Sequence, residues 1–97
     1  MEYEITKMIT ISTAHITEDT ANKLEREVKY GTNDIPLSIY AKAEFGWLIF
    51  VSDYYKDLLN MPKDLMDCLD LAKENDCEWL CLDCDGLIVP DLPTYDW

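Results

Sequence analysis

The pattern of hydrophobic and polar residues in the N-terminal third of the chain predicts a strand followed by a helix. β-branched residues dominate the segment from Ile5 to Ser12, as the pleated surface of a strand prefers. Apolar residues then recur at helical spacing after Thr17, a residue type favoured at helix N-caps, and before Gly31, a residue type favoured at helix ends. A first strand and a first helix are therefore expected here.

The middle of the chain predicts a β-hairpin. A second strand is expected from Leu37 to Ala43 and a third from Trp47 to Ser52, joined by a short link. The apolar run of the third strand shows no alternation, which is typical of a strand that is covered on both faces. The polar segment that follows, from Asp53 to Leu59, predicts a short helical turn.

The last third predicts a second helix and further strands. Pro62 suits the first position of a helix running to about Asn75. A fourth strand is expected from Glu78 to Asp83, then a tight turn ending at Gly86, and a short fifth strand at residues 87–89. The resulting β-α-β-β-α-β order predicts an α+β fold, with two helices on one face of a mostly antiparallel sheet. A ferredoxin-like split arrangement is the expected topology.

Size and composition indicate one globular domain covering residues 1–97. Hydrophobic residues make up 48% of the 97-residue chain, enough to build a modest core. The N-terminus lacks the basic start and apolar run of a signal peptide, and the longest uncharged apolar stretch, Phe45 to Val51, is far shorter than a membrane span. We therefore expect a cytoplasmic protein, without a membrane partner and with reduced cysteines.

The negative charge is concentrated in the C-terminal half. The formal charge is −12; residues 1–48 carry eight acids against five bases, and residues 49–97 carry twelve acids against three bases. Such a surface repels phosphates, which argues against direct binding to nucleic acid. It favours a basic partner, such as a protein that itself binds nucleic acid.

The second predicted helix carries acids in steps of three, three and four, opposite its apolar face. Their spacing of about 5 Å is comparable to the roughly 3.4 Å between phosphates of one DNA strand. Reversing the charges of Asp67 and Asp70 is expected to leave folding intact. The alternative interpretation is an ordinary solvated helix face. The predicted partner-binding residues are Asp64, Asp67, Asp70, Glu74, Asp76, Glu78, Asp83 and Asp85.

No motif in the sequence predicts catalysis or a cofactor. There is no glycine loop for phosphate and no nucleophile elbow, and the single histidine, His15, is expected to be a structural or capping residue. A zinc or thiol site is a remote alternative, because two cysteines show the spacing of zinc ligands. Its ligands would be Cys77, Cys81 and Cys84, with Cys68 or His15.

Aromatic residues provide a second functional hypothesis of a different class. Tyr and Trp are enriched in the cores of protein interfaces, so a regulatory or accessory domain could bind a neutral protein through exposed rings. The candidate anchors are Trp47, Tyr54, Tyr55, Tyr95 and Trp97.

Three segments carry a resemblance to a known family. They are the runs Ile-Ser-Thr-Ala-His-Ile-Thr at 11–17, Gly-Trp-Leu-Ile-Phe-Val at 46–51 and Leu-Pro-Thr-Tyr-Asp-Trp at 92–97. They resemble a family of small acidic bacterial proteins of unknown function that is found on plasmids and phages, and the similarity extends from about residue 8 to the end. The resemblance implies a setting of mobile genetic elements. In that setting, the charge suggests an inhibitor of host defence, an anti-CRISPR or antirestriction protein.

Overall fold

A computed structural model describes residues 2–97 and shows four strands and two α-helices in the predicted order. Two short 3-10 turns cover Thr13–His15 and Tyr55–Asp57, the second of them within the predicted helical turn. The α+β fold is therefore confirmed. The strands are β1 (Met8–Ser12), β2 (Ile39–Lys42), β3 (Gly46–Phe50) and β4 (Trp79–Asp83), and the helices are α1 (Glu18–Tyr30) and α2 (Lys63–Glu74).

The four strands form one mixed sheet in the order β1-β4-β3-β2. β1 runs parallel to β4, whereas β4 and β3, and β3 and β2, pair antiparallel, so the sheet is mostly antiparallel as predicted. The ferredoxin-like split arrangement is wrong, because two strands separate β1 from β2 and β3 adjoins β4. β4 is central because almost its whole length is buried, and β1 with its exposed Met8 lies at an edge.

Both helices pack on the same face of the sheet. The alternate sheet residues Ile11, Ile49 and Leu80 are fully buried and belong to one core with Leu24 of α1 and Leu65 of α2. The predicted apolar face of α2 is confirmed, since all four of its residues are buried, namely Leu65, Cys68, Leu69 and Ala72. Within residues 2–97, neither helix is long and apolar enough to cross a membrane.

Several predicted strand limits are wrong. β2 begins at Ile39 and not at Leu37, and β3 ends at Phe50 and not at Ser52. β1 begins at Met8 and not at Ile5, whose side chain is 84% exposed and gains nothing from the core. The expected fifth strand reduces to one bridge between Leu87 and Ile11, in which the Ser12 N–H donates to the Leu87 carbonyl over 2.8 Å. The prediction that β3 is covered on both faces is also wrong, because Phe50 is 39% exposed.

Helix α1 begins and ends where its sequence predicts. The Thr17 hydroxyl accepts a hydrogen bond from the Thr20 N–H at 3.2 Å, and Gly31 closes the helix in the left-handed conformation at φ 59°. The carboxylate of Asp64, in the first turn of α2, accepts from the Thr17 N–H at 2.7 Å and from the Thr20 hydroxyl at 2.9 Å. The N-termini of the two helices are thereby joined.

The loop after α1 is organised by one carboxylate. Glu27 accepts hydrogen bonds from the backbone N–H groups of Asn33 (3.1 Å), Asp34 (2.7 Å) and Ile35 (3.3 Å), and from the Thr32 hydroxyl. Burial alone would raise the pKa of Glu27, but these hydrogen bonds outweigh it and hold the pKa below its ordinary value. The ionised carboxylate therefore stabilises the folded loop.

We expect Glu27→Ala to lower the free energy of unfolding at neutral pH by about 1–3 kcal/mol, because several loop donors lose a charged acceptor. The folded-state pKa of Glu27 is lowered, so its contribution is complete above the ordinary value of 4.5 and is lost as the pH falls through the folded-state value. Urea unfolding of wild type and variant at neutral and acidic pH measures the difference. A gap that stays constant down to strongly acidic pH would contradict this role.

Candidate functional site

The predicted acidic residues fall into three sets along the fold. One set lies along α2, a second precedes β4, and a third lies at the end of β4. Because β4 spans five residues at about 3.3 Å each, the second and third sets lie roughly 16 Å apart. The sets are Asp64, Asp67, Asp70 and Glu74 on α2, Asp76 and Glu78 before β4, and Asp83 and Asp85 at its end.

Two of these carboxylates are engaged in holding the fold together. Asp64 caps α1, as described above. Asp83 is only 8% exposed, is paired with the Lys42 ammonium, and accepts from the Asp85 N–H at 2.8 Å. The hydrogen bond from Lys42 holds the pKa of Asp83 below its usual range. Both side chains thus have structural partners that helical or strand periodicity does not show.

Asp70 also has an internal partner. The hydroxyl of Tyr55, a ring that is only 2% exposed, donates a hydrogen bond to the Asp70 carboxylate. Burial, with this hydrogen bond, raises the pKa of Tyr55 well above its ordinary value. This contact changes the expectation for Asp70: its reversal should destabilise the fold, because a buried hydroxyl would lose its acceptor. The expectation for Asp67 stays a prediction.

Lysines outside the predicted acidic segment partly neutralise α2. The Lys56 ammonium lies 3.6 Å from Asp70, and the Lys63 ammonium lies 3.1 Å from Asp67. The single base inside the segment from Asp64 to Asp96, Lys73, donates to Asp53 at 2.6 Å. Each pair is solvent-exposed on its lysine side, so it contributes little stability but reduces the local charge.

A groove of about 370 Å³ runs between α2 and the C-terminal tail. Four carboxylates line it, from three α2 residues and one tail residue, and no base is among its lining residues. Glu74 and Asp91 are exposed, and neither side chain takes part in a hydrogen bond or ion pair within residues 2–97. The lining carboxylates belong to Asp67, Asp70, Glu74 and Asp91.

The tail that carries Asp91 is anchored by the buried His15. Its Nδ1 lies 2.8 Å from the Pro93 carbonyl oxygen, and its Nε2 accepts from the Val89 N–H at 2.9 Å. This pair of contacts requires the neutral ring with its proton on Nδ1. The structural role expected for His15 is confirmed. The Trp97 indole N–H adds an anchor by donating to the Ile16 carbonyl at 2.8 Å.

Replacing His15 with alanine is expected to release the tail and to lower the free energy of unfolding by about 2–4 kcal/mol. The substitution leaves a cavity, and the Val89 N–H and the Pro93 carbonyl lose their partner. Hydrogen exchange at the Val89 amide should accelerate more than exchange at amides in the centre of β4. Urea unfolding measures the change in the free energy of unfolding. Unchanged protection of Val89 would show that the imidazole does not hold the tail.

The zinc alternative is not supported by the placement of the cysteines. Within residues 2–97, one group of three ligand atoms comes together, and it contains Asp83, Cys84 and Asp85, not the trio Cys77, Cys81 and Cys84. The Asp83 carboxylate in that group is already paired with Lys42.

The thiols otherwise serve packing. Cys68, Cys77 and Cys81 are buried, Cys84 is exposed, and all are free. Burial, with nearby carboxylates, raises the pKa of Cys68 to about 12, so this thiol stays protonated and unreactive.

The predicted aromatic anchors are divided between core and surface. Tyr55 is buried and Trp47 and Tyr95 are half-buried, whereas Tyr54 (56%) and Trp97 (55%) are more than half exposed. A different aromatic cluster, formed by Tyr40, Phe50 and Trp79 on the face of the sheet opposite the helices, was not predicted. No pattern within a single strand marks it, because only the register of three strands brings the rings together.

Comparison with protein families gives one match, a model described as "Family of unknown function (DUF5983) C-terminal domain", over residues 8–97. The extent agrees with the resemblance seen in the sequence, which begins at about residue 8. Comparison with curated proteins and with solved structures gives no match. The match covers nearly the whole chain, and the protein therefore belongs to this family of unknown function, as an example of its C-terminal domain.

Proposed function

We propose that the protein is a non-catalytic inhibitor encoded by a mobile genetic element, which blocks the nucleic-acid-binding site of a CRISPR effector or of another host-defence nuclease. The observation that carries this proposal is the groove between α2 and the tail, where four carboxylates converge without a base in the lining. Arginine forks bind a carboxylate as they bind a phosphate, with two parallel hydrogen bonds. The groove therefore offers such a site a substitute for the DNA backbone.

The charge of the whole chain supports the same function. A formal charge of −12 on 97 residues repels nucleic acid and accelerates encounter with a basic surface. The groove itself keeps Glu74 and Asp91 unpaired, although lysines contact Asp67 and Asp70 at its edge. Unpaired carboxylates of this kind are well hydrated in the free protein. They contribute most to binding affinity when they pair with guanidinium groups in a contact that excludes water.

The proposed mechanism is competition before DNA is engaged. In a CRISPR effector, a pair of arginines reads the short PAM by bidentate contacts in the major groove. The acidic groove would occupy those arginines, or the basic channel beside them, so that the effector no longer finds its target. No bond is made or broken by the inhibitor, which fits a chain whose sequence shows no catalytic motif.

An inhibition assay tests this function. Purified protein is added to a panel of CRISPR effectors and restriction enzymes, each cleaving its own DNA target, before or after the enzyme has met DNA. We expect inhibition of at least one enzyme when the protein is added first, and much weaker inhibition when DNA is already bound. Failure to bind or inhibit any basic nucleic-acid enzyme in the panel would refute the proposal.

A second function is favoured by the exposure of Tyr54 and Trp97. In this case the protein would be an accessory domain that binds a neutral partner through aromatic rings. Salt distinguishes the two, because charge-driven binding weakens steeply with ionic strength and aromatic packing does not. Binding that is insensitive to salt but lost in Tyr54→Ala or Trp97→Ala would favour the accessory domain.

A further inference from the structure

The face of the sheet opposite the helices carries apolar side chains that no helix covers. Strand register places these residues side by side on the same face, with their neighbours across β1, β4, β3 and β2. Three of them remain substantially exposed, namely Met8 (46%), Tyr40 (55%) and Phe50 (39%). The apolar residues of this open face are Met8, Tyr40, Leu48, Phe50 and Trp79 around the buried Cys81, and the same face also carries Thr10 and the Lys42–Asp83 pair.

Three rings form the centre of this open face. The Phe50 and Trp79 rings meet edge to face with centroids 5.4 Å apart, and the Tyr40 and Trp79 rings are tilted with centroids 6.1 Å apart. Aromatic pairs prefer these edge-to-face and tilted arrangements. The cluster Tyr40–Trp79–Phe50 is therefore an apolar platform, in which Trp79 is half-buried and the other two rings face solvent.

An acidic groove adjoins this platform. It has a volume of about 360 Å³, begins at Phe50, and is lined by Asp53, Asp76 and Glu78. Its single lysine, Lys73, is paired with Asp53. Asp76 takes no part in a side-chain hydrogen bond or ion pair within residues 2–97, so an unpaired carboxylate stands close to the exposed rings.

Size and charge identify the kind of occupant. Four strands of about five residues present roughly 300 Å² on one face, which is well below the roughly 800 Å² that each partner contributes to a standard interface. A second copy of the chain would also bring together two molecules of charge −12, which repel one another. The acidic groove instead favours a basic occupant that extends beyond the rings.

We propose that the platform and the acidic groove together form a docking site for an arginine-bearing segment of a basic protein partner. A guanidinium group packs against the Phe50 ring, which lines the groove, and pairs with the carboxylate of Asp76, a combination that suits arginine better than lysine. The Glu78 carboxylate, which already accepts a hydrogen bond from the Lys7 N–H at 2.6 Å, adds negative charge beside it. The expectation of a basic partner rests on the proposed function. The rings lie on the face of the sheet opposite the helices, and the groove lies beside them at the C-terminal end of α2. The site is separate from the groove between α2 and the tail and so adds a second contact surface to the inhibitor.

NMR titration of the whole isotope-labelled protein tests the site with defined probes. The probes are acetylated, amidated peptides of alternating leucine and arginine, leucine and lysine, or leucine and glutamate. The arginine peptide should shift the Trp79 indole signal and the amides of Phe50, Asp76 and Glu78, and it should bind several-fold more tightly than the lysine peptide. The glutamate peptide should not bind. Shifts confined to the groove between α2 and the C-terminal tail, or equal affinity for all three peptides, would overturn the proposal.

Two variants separate the site from the fold. Phe50→Ala removes an exposed ring and Asp76→Asn removes one charge while keeping a residue that tolerates the left-handed conformation at φ 57°. Each should weaken the affinity for the arginine peptide at least about fivefold. The control Tyr30→Ala, which replaces an exposed tyrosine at the end of α1, should leave that affinity unchanged. Unchanged affinity in a folded Phe50→Ala protein would refute the docking site. Peptide binding without nuclease inhibition would refute the proposed function alone.

Discussion

Reversal of both groove charges in the double variant Glu74→Lys and Asp91→Lys is expected to weaken binding to the inhibited nuclease by at least about a hundredfold. Each carboxylate that meets an arginine in a desolvated contact is worth about 2–5 kcal/mol when its partner is left unpaired, and reversal adds repulsion. Within residues 2–97 neither side chain takes part in a hydrogen bond or ion pair, so the free energy of unfolding should stay unchanged or rise slightly. Calorimetric titration against the nuclease and urea unfolding measure the two quantities.

A matched control has the same change in charge elsewhere. Asp34→Lys with Glu44→Lys alters two exposed residues of the less acidic half, whose own carboxylates take part in no hydrogen bond or ion pair within residues 2–97. The Asp34 N–H that donates to Glu27 is a backbone group and is kept in the variant. This control should lose only the part of the affinity that comes from long-range attraction, and high salt should remove the remaining difference from wild type. Equal losses in the two double variants would show that the groove has no special role.

The Gly46→Ala substitution is expected to have the largest effect on stability. A Cβ atom at this position would lie 1.7 Å from the Leu82 carbonyl oxygen, a backbone atom of the central strand β4. The pairing of β3 with β4 must open to accept it, and a cost of more than about 3 kcal/mol is expected. Circular dichroism during urea unfolding measures this cost, and loss of the folded state altogether would agree with it.

Gly31→Ala is the control for Gly46, because no atom lies within 4 Å of the Cβ position and only the left-handed conformation at φ 59° is disfavoured. The cost there should be about 1–2 kcal/mol. If the two variants were equally stable, the close approach of Gly46 to β4 would not be a constraint on the sheet.

Local periodicity predicted the elements of this fold well. The cap at Thr17, the end at Gly31 and the apolar face of α2 are each decided by neighbours within one or two helical turns, and the structure confirms them. The strand order could not be predicted in the same way, because it depends on which strand lies between two others and which lies at an edge of the sheet. The burial of β4 and the exposure of Met8 on β1 settle that question, and neither is a local property of the sequence.

The candidate site was predicted in composition but not in arrangement. The spacing of Asp67 and Glu74 correctly placed them on one side of α2. It could not show that Asp64 caps the other helix or that Asp70 receives the hydroxyl of Tyr55, because both contacts are made across loops. The position of Asp91 in the groove was not predicted, because it depends on the contacts by which His15 holds the tail beside α2.

The aromatic platform shows the same limit for strands. The rings of Tyr40, Phe50 and Trp79 come from three strands, and only the register between those strands brings them together. A continuous apolar run such as that of β3 predicts cover on both faces, yet here one face stays open. The uncovered rings are the ones to which we assign the proposed docking site.

Direct competition with DNA is the measurement that tests the central claim most directly. A fluorescently labelled duplex is bound to the inhibited nuclease, and unlabelled protein is titrated in while anisotropy is followed, at low and at high salt. The account predicts complete displacement of the duplex at low salt, with an inhibition constant that rises steeply with salt and at least about a hundredfold in the Glu74→Lys and Asp91→Lys double variant. A ternary complex, in which the protein binds the nuclease while the duplex stays bound, would contradict it.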